Sequence, residues 1–148
     1  MKAALLDVNV LIALAWPNHV HHQSSLRWFK AQQPSGWATC SSTQTGFVRV
    51  SSNRRVFPDA RSPEEALLLL RRITALPHHV FWTDDIALAD SHLIAASRIQ
   101  GHRQVGDAHL LALALSRDGC LATLDQGIRQ LVPDGFAADE VVCLLIDY

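Results

Sequence analysis

The chain has 148 residues, 49% of them apolar, and carries 13 Lys and Arg against 14 Asp and Glu for a net charge of −1. That length suits one domain with a sizeable core, and that apolar content excludes a disordered chain. No run approaches the ~18–20 apolar residues of a membrane span, so no membrane partner is expected and residues 1–148 are read as a single domain.

Short apolar runs alternate with longer helical ones, the pattern of βαβ units around a parallel sheet. A first strand is predicted over about residues 3–7. A short helix follows from Val8 to Ala15, broken by Pro17-Asn18. Met1-Lys2 and the apolar stretch to Trp16 superficially resemble an export signal. Asp7 and Asn9 interrupt that stretch and no small-residue cleavage site follows, so export is not expected. A second helix is predicted over 19–32, burying Val20, Leu26 and Phe29, with Pro34-Ser35-Gly36 ending it. The second strand is Trp37 to Cys40, and a third helix starts near Ser42 or Thr43.

Ser62-Pro63-Glu64-Glu65 predicts a helix start with Ser62 as cap, Pro63 in the first position and Glu65 closing a capping box. Its Leu67-Leu68-Leu69-Leu70 run reads as helix core or as part of a groove for a partner helix. Val80 to Trp82 is a short edge strand, and a helix is predicted over 86–99, with Asp84 and Asp85 before it as capping residues. Asp107 is read as the cap of a helix so apolar around its circumference that it must be buried, with Gly119 at its C′ position. The fourth strand is Cys120 to Thr123 and the fifth is Val141 to Ile146. The cysteines are three (Cys40, Cys120, Cys143), widely spaced and in apolar stretches, which argues against a disulfide framework and for a reducing cytoplasm.

Single aspartates follow short apolar runs: Asp7 after Ala3-Ala4-Leu5-Leu6, and Asp125 after Cys120-Leu121-Ala122-Thr123-Leu124. Acids at the carboxyl ends of buried parallel strands face the crevice where open α/β sheets carry out their chemistry. With Asp107 they make three carboxylates that would repel one another unless a hard cation joined them. Mg²⁺ and Mn²⁺ take such oxygen ligands, lower the pKa of a bound water and neutralise phosphate charge. The charge is also uneven. Residues 1–83 hold nine Lys and Arg against four acids, and residues 84–148 hold four Arg against ten acids. A basic half facing an acidic half can dock a polyanion along one side, although no dense basic stripe is present.

Four segments taken together resemble the PIN domain. They are Leu5-Leu6-Asp7-Val8-Asn9-Val10-Leu11-Ile12, Thr39 to Val50, Gly101 to Ala114, and Leu121-Ala122-Thr123-Leu124-Asp125. Each is weak alone; in this order they span nearly the whole chain. The likeness is to VapC-type toxins of toxin–antitoxin pairs, particularly the mycobacterial-style branch. It implies a three-layer α/β/α fold with a central, mostly parallel sheet of four to five strands. It also implies a Mg²⁺- or Mn²⁺-dependent endoribonuclease, usually a homodimer, held inactive by a VapB-type antitoxin. Carried onto this sequence, the resemblance puts metal coordination on Asp7, Asp107 and Asp125. Thr123 would orient a ligand or a water, Asn9 would brace the Asp7 loop, and Arg49 would pair with an acid or with RNA phosphate. Arg54 and Arg55 join Arg49 as residues expected to position the RNA backbone.

One departure stands out. The family usually has Glu where this chain has Gln44, and no glutamate precedes Glu64. An amide oxygen can ligate a metal or hold a water, but it is uncharged and a poor general base. Two readings therefore stay open: a nuclease, at full or weakened activity, and a PIN protein that mainly binds RNA or antitoxin. Aspartyl phosphotransfer needs a late lysine, whereas the only lysines are Lys2 and Lys30. No Gly-rich loop follows the first strand, which excludes a nucleotide-binding P-loop. His19, His21 and His22 lack companion ligands at zinc spacing and are read as surface or partner contacts.

Overall fold

The computed structural model of the chain describes residues 1–147. Its strands are β1 (Ala4–Leu6), β2 (Trp37–Thr39), β3 (His79–Phe81), β4 (Cys120–Thr123) and β5 (Val142–Leu144). They form one sheet in the order β3-β2-β1-β4-β5, with every pairing parallel. β1 lies centrally: Leu5 is in register with Ala38 of β2 and with Leu121 of β4. The strand order reverses between β1 and β4. At such a switch point the loops after neighbouring strands diverge and leave a crevice.

Alternation of side chains across the sheet explains why β1 is apolar throughout. Leu5 packs into one core with Leu111, Leu121 and Ile128. Ala4 and Leu6 pack into another with Leu11, Trp28, Trp37, Phe47 and Leu70. The first core is closed by α5 (Gln104–Ser116), and the second by α1 (Val8–Ala15), α2 (His22–Gln32), α3 (Ser41–Ser51) and α4 (Pro63–Thr74). A short α6 (Ala138–Val141) leads into β5. The result is the three-layer α/β/α arrangement expected. Among the described residues no helix is long and apolar enough to cross a membrane.

Local chemistry sets the helix starts. Ser62 Oγ accepts from Glu65 N–H at 3.2 Å while Glu65 Oε1 accepts from Ser62 N–H at 3.3 Å, the reciprocal box read from the sequence. α3 starts one or two residues earlier than expected, because Thr43 Oγ1 accepts from the Cys40 N–H at 2.9 Å. Gly46 lets α3 approach α1: a Cβ there would lie 2.6 Å from Val8 Cγ2. In α4, Leu70 is buried but Leu67 and Leu68 face out, so only part of the leucine run is core. The three cysteines are free, with Cys120 and Cys143 placing their sulfurs 3.3 Å apart across β4 and β5.

Several expectations are corrected. Residues 86–99 form no α-helix, only a 3₁₀ turn at Ala96–Arg98. Side chains there take the backbone donors instead: Asp84 accepts from Ile86 N–H and Ser91 accepts from Leu93 N–H. Ile86, Leu93, Ile94 and Ile99 still pack on the core, which is why their spacing read as helical. Val20 is 86% exposed, because α2 begins only at His22 and Val20 sits in the turn before it. Asp107 is not a cap, since α5 starts at Gln104 and places Asp107 within its first turn. At the other end of α5 the left-handed residue is Asp118 (φ 52°) rather than Gly119. Gly119 follows it and donates to Ala114 O at 2.9 Å, and a Cβ at Gly119 would meet Ala3 O and Trp82 at 2.7 Å. The fifth strand is shorter than read, bounded by α6 and by a 3₁₀ turn at Leu145–Asp147.

Candidate active site

Asp7 directly follows β1 and caps α1, its Oδ1 accepting from Val8 N–H at 2.8 Å. Its Oδ2 accepts from the Thr123 hydroxyl at 2.8 Å. Thr123 ends β4, and its oxygen also accepts from Asp125 N–H at 3.1 Å and from the Asn9 amide at 3.4 Å. Asn9 Oδ1 in turn accepts from Leu124 N–H at 3.2 Å. These bonds stitch the loop after β1 to the loop after β4. One hydroxyl proton and two lone pairs are thereby all engaged, so Thr123 orients the Asp7 carboxylate and has no capacity left for a water. Asp125 Oδ1 accepts from Gly127 N–H at 2.9 Å, which caps the 3₁₀ segment Gln126–Leu131 and fixes that carboxylate too.

Asp7, Asp107 and Asp125 line one cleft of about 460 Å³, together with Asn9, Ile12, His19, Val50, Val56 and Phe57. Their mutual electrostatics show the crowding. Burial, reinforced by the charges of Asp7 and Asp125, pushes Asp107 up to about 6. Burial also pushes Asp7 up, with Asp125 adding to the effect and the bonds from Thr123 and Val8 opposing it. Among the described residues, no three His, Cys, Asp or Glu side chains form a group that holds an ion unaided. What the cleft offers is an open set of hard oxygen donors, with the Asp7 and Asp107 carboxyls pushed up by burial and by neighbouring acid charge. Oxygen donors of this kind are those a hard, hydrated cation prefers.

Gln44, Arg49, Arg54 and Arg55 are not among the residues that line this cleft. Gln44 is half-buried, donates its amide to Thr39 Oγ1 at 2.9 Å and lines a separate groove between α3 and α4, shared with Arg49. Arg54 and Arg55 are exposed in the turn after α3, directly before the cleft residues Val56 and Phe57. Asp84 pairs with His109 at 2.7 Å and Asp85 with Arg117 at 3.8 Å, so both are engaged in tying their segment to α5.

The cleft also holds residues that the motifs did not mark. His19, whose spacing reads as a surface or partner contact, lies in the turn after α1 and lines the cleft. Burial first, then the neighbouring His21 and His22, lower its pKa. Phe57 is brought to the cleft by stacking on Trp16, with centroids 4.7 Å apart and planes 5° from parallel. No spacing rule links Trp16 to Phe57, so sequence patterning carries no signal for this wall.

The PIN domain profile matches residues 4–132, and the chain belongs to the PIN-domain family. Within that family it is of the VapC type. It is 46% identical over 132 residues to Ribonuclease VapC39 of Mycobacterium tuberculosis, covering 89% of this chain and 95% of that one. Identity to Ribonuclease VapC38 of the same organism is 47% over 128 residues, covering 86% and 89%. Ribonuclease VapC44, also from that organism, is 46% identical over 141 residues, covering 95% and 99%.

Proposed function

We propose that residues 1–148 form one PIN domain that hydrolyses RNA phosphodiester bonds as the toxin of a toxin–antitoxin pair. The observation that carries this reading is the convergence of Asp7, Asp107 and Asp125 on one cleft at the carboxyl ends of β1 and β4. The VapC relatives, each named a ribonuclease, support the choice of RNA as substrate.

Asp7, Asp107 and Asp125 would hold Mg²⁺ or Mn²⁺. When bound, such an ion supplies a water of lowered pKa and neutralises charge on a scissile phosphate. The chain's own residues do the rest. Asn9 and Thr123 keep the Asp7 carboxylate aimed into the cleft. Arg49, Arg54 and Arg55, all exposed on the basic half, position the RNA backbone without specifying its sequence. A VapB-type antitoxin is the regulatory partner in this reading, and the outward Leu67 and Leu68 of α4 offer it an apolar contact. A homodimer is the expected assembly of the free toxin.

A second reading rests on Gln44, whose amide is turned to Thr39 and which brings no charge to the carboxylates. It makes the protein chiefly an RNA- or antitoxin-binding module with slow or no cleavage. Incubating structured RNA with wild type and Asp7→Asn, in Mg²⁺, in Mn²⁺ and in EDTA, separates the two. Metal-dependent cutting by wild type alone supports the nuclease. Identical behaviour of the two proteins removes it and favours the binding module.

A further inference from the structure

Apart from the acids and Asn9, the cleft has an apolar wall, made by Val8, Ile12, Val50, Val56 and Phe57 with His19 among them. Apolar and aromatic side chains give a phosphate nothing to bind. Phosphate belongs with the carboxylate-bound cation and the exposed arginines, so this wall calls for the part of a nucleotide that carries a flat apolar face. We infer that Phe57, Val56 and His19 form a nucleobase subsite, which seats an unpaired base of single-stranded RNA next to the bond to be cut. The inference rests on the reading of RNA as ligand and deepens it.

Three features prepare the wall for a base. The face-to-face stack on Trp16 holds the Phe57 ring in one orientation. A planar surface held in this way is what an unstacked base seeks, because every base has a π-face to lay on it. Val56 is 52% exposed, an apolar side chain left open at the cleft. His19 Nδ1 accepts from the His21 N–H at 3.0 Å, which requires that nitrogen to be unprotonated and leaves the ring proton on Nε2. The imidazole is thereby set as a single donor, suited to an acceptor on the base edge such as a keto oxygen or a ring nitrogen. The subsite is also continuous with the charged half of the ligand path, since Arg54 and Arg55 lead directly into Val56 and Phe57.

The test uses the full-length protein and a fluorescent single-stranded oligoribonucleotide, natural or carrying abasic nucleotides at successive positions. Binding is read first, in EDTA and again in Mg²⁺ with the RNA checked to be intact, so that the answer does not depend on turnover. Wild type is expected to lose about tenfold in affinity when one particular position is made abasic. Phe57→Leu is expected to bind natural RNA about tenfold more weakly and to be indifferent to the abasic change. Val56→Asp, placed on an exposed side chain, is expected to do the same and covers the case in which losing the Trp16 stack unfolds the protein. His19→Ala is expected to alter the order of preference among bases at that position. Equal binding of natural and abasic RNA by wild type overturns the subsite, as does an unchanged abasic penalty in folded Phe57→Leu and Val56→Asp. So do variants that weaken antitoxin binding alone, which would assign the wall to a protein partner. If wild type discriminates against the abasic RNA yet cuts no RNA with either metal, the nuclease reading fails and the subsite stands.

Discussion

The Thr123 hydroxyl donates to Asp7 Oδ2 at 2.8 Å, joining residues 116 positions apart in the chain. That hydroxyl oxygen is the hub of three hydrogen-bonded partners in a position with no solvent exposure. Thr123→Val keeps the shape and deletes the hub. It leaves Asp7 Oδ2, the Asp125 N–H and the Asn9 amide short of a partner, so it should cost about 1–3 kcal/mol in urea unfolding. RNA cleavage by the folded fraction should drop more than the stability loss explains, because Asp7 is no longer aimed. Thr123→Ser should restore most of both. A Thr123→Val protein with wild-type stability would show that the bond contributes little.

The acidic cluster makes stability depend on pH. Asp107 lies at about 6 in the folded chain, against 3.8 for an ordinary carboxyl. Between those values the native state binds more protons than the unfolded state, so unfolding free energy falls as pH rises through the window and stays lower above it. Melting in metal-free buffer should therefore give a higher Tm at pH 5 than at pH 7.5, and Asp107→Asn should flatten the difference. Adding Mg²⁺ should raise Tm at pH 7.5 and do little at pH 5, where the cluster is partly protonated. A Tm that does not move with Mg²⁺ at pH 7.5 would count against cation binding by these carboxylates.

Gly46 and Gly106 make a matched pair of helix glycines with opposite expectations. A methyl group at Gly46 would sit 2.6 Å from Val8 Cγ2, whereas nothing lies within 4 Å of one at Gly106. Gly46→Ala should destabilise by about 1–3 kcal/mol through overpacking of α3 against α1. Gly106→Ala should be neutral or stabilise by up to about 1 kcal/mol through helix propensity. Because Val8 follows Asp7 directly, Gly46→Ala should also lower cleavage. Chemical denaturation of both variants tests the pair, and equal stabilities would show that α3 yields without strain.

Gln44 tests how much charge the site lacks. Gln44→Glu adds a carboxylate where the amide now bonds to Thr39. Titration with Mn²⁺ should show affinity rising by up to about tenfold, the gain one added charge brings when its side chain turns from Thr39 towards the cation. Cleavage should quicken in parallel. Equal Mn²⁺ affinities would mean that position 44 does not communicate with the ion.

Much of the architecture was legible along the chain because it follows from local rules. The apolar runs at Ala4–Leu6 and Cys120–Thr123 read as buried parallel strands, and the Ser62–Glu65 box announced α4. Asp7 and Asp125 stood out because a charge directly after such a run is conspicuous. The segment 86–99 misled for a physical reason: its apolar spacing reflects packing on the core, while Asp84 and Ser91 draw the backbone donors out of any helix. Composition and periodicity thus specified the layers and the strand-end acids, while the family entered through the resemblance of four motif segments. Only three-dimensional packing decided that Thr123 would serve Asp7, that Gln44 would turn to Thr39, and that Trp16 would deliver Phe57 to the cleft. Those contacts join residues remote in the chain, and their geometry depends on how strands and helices dock, which no periodic pattern encodes.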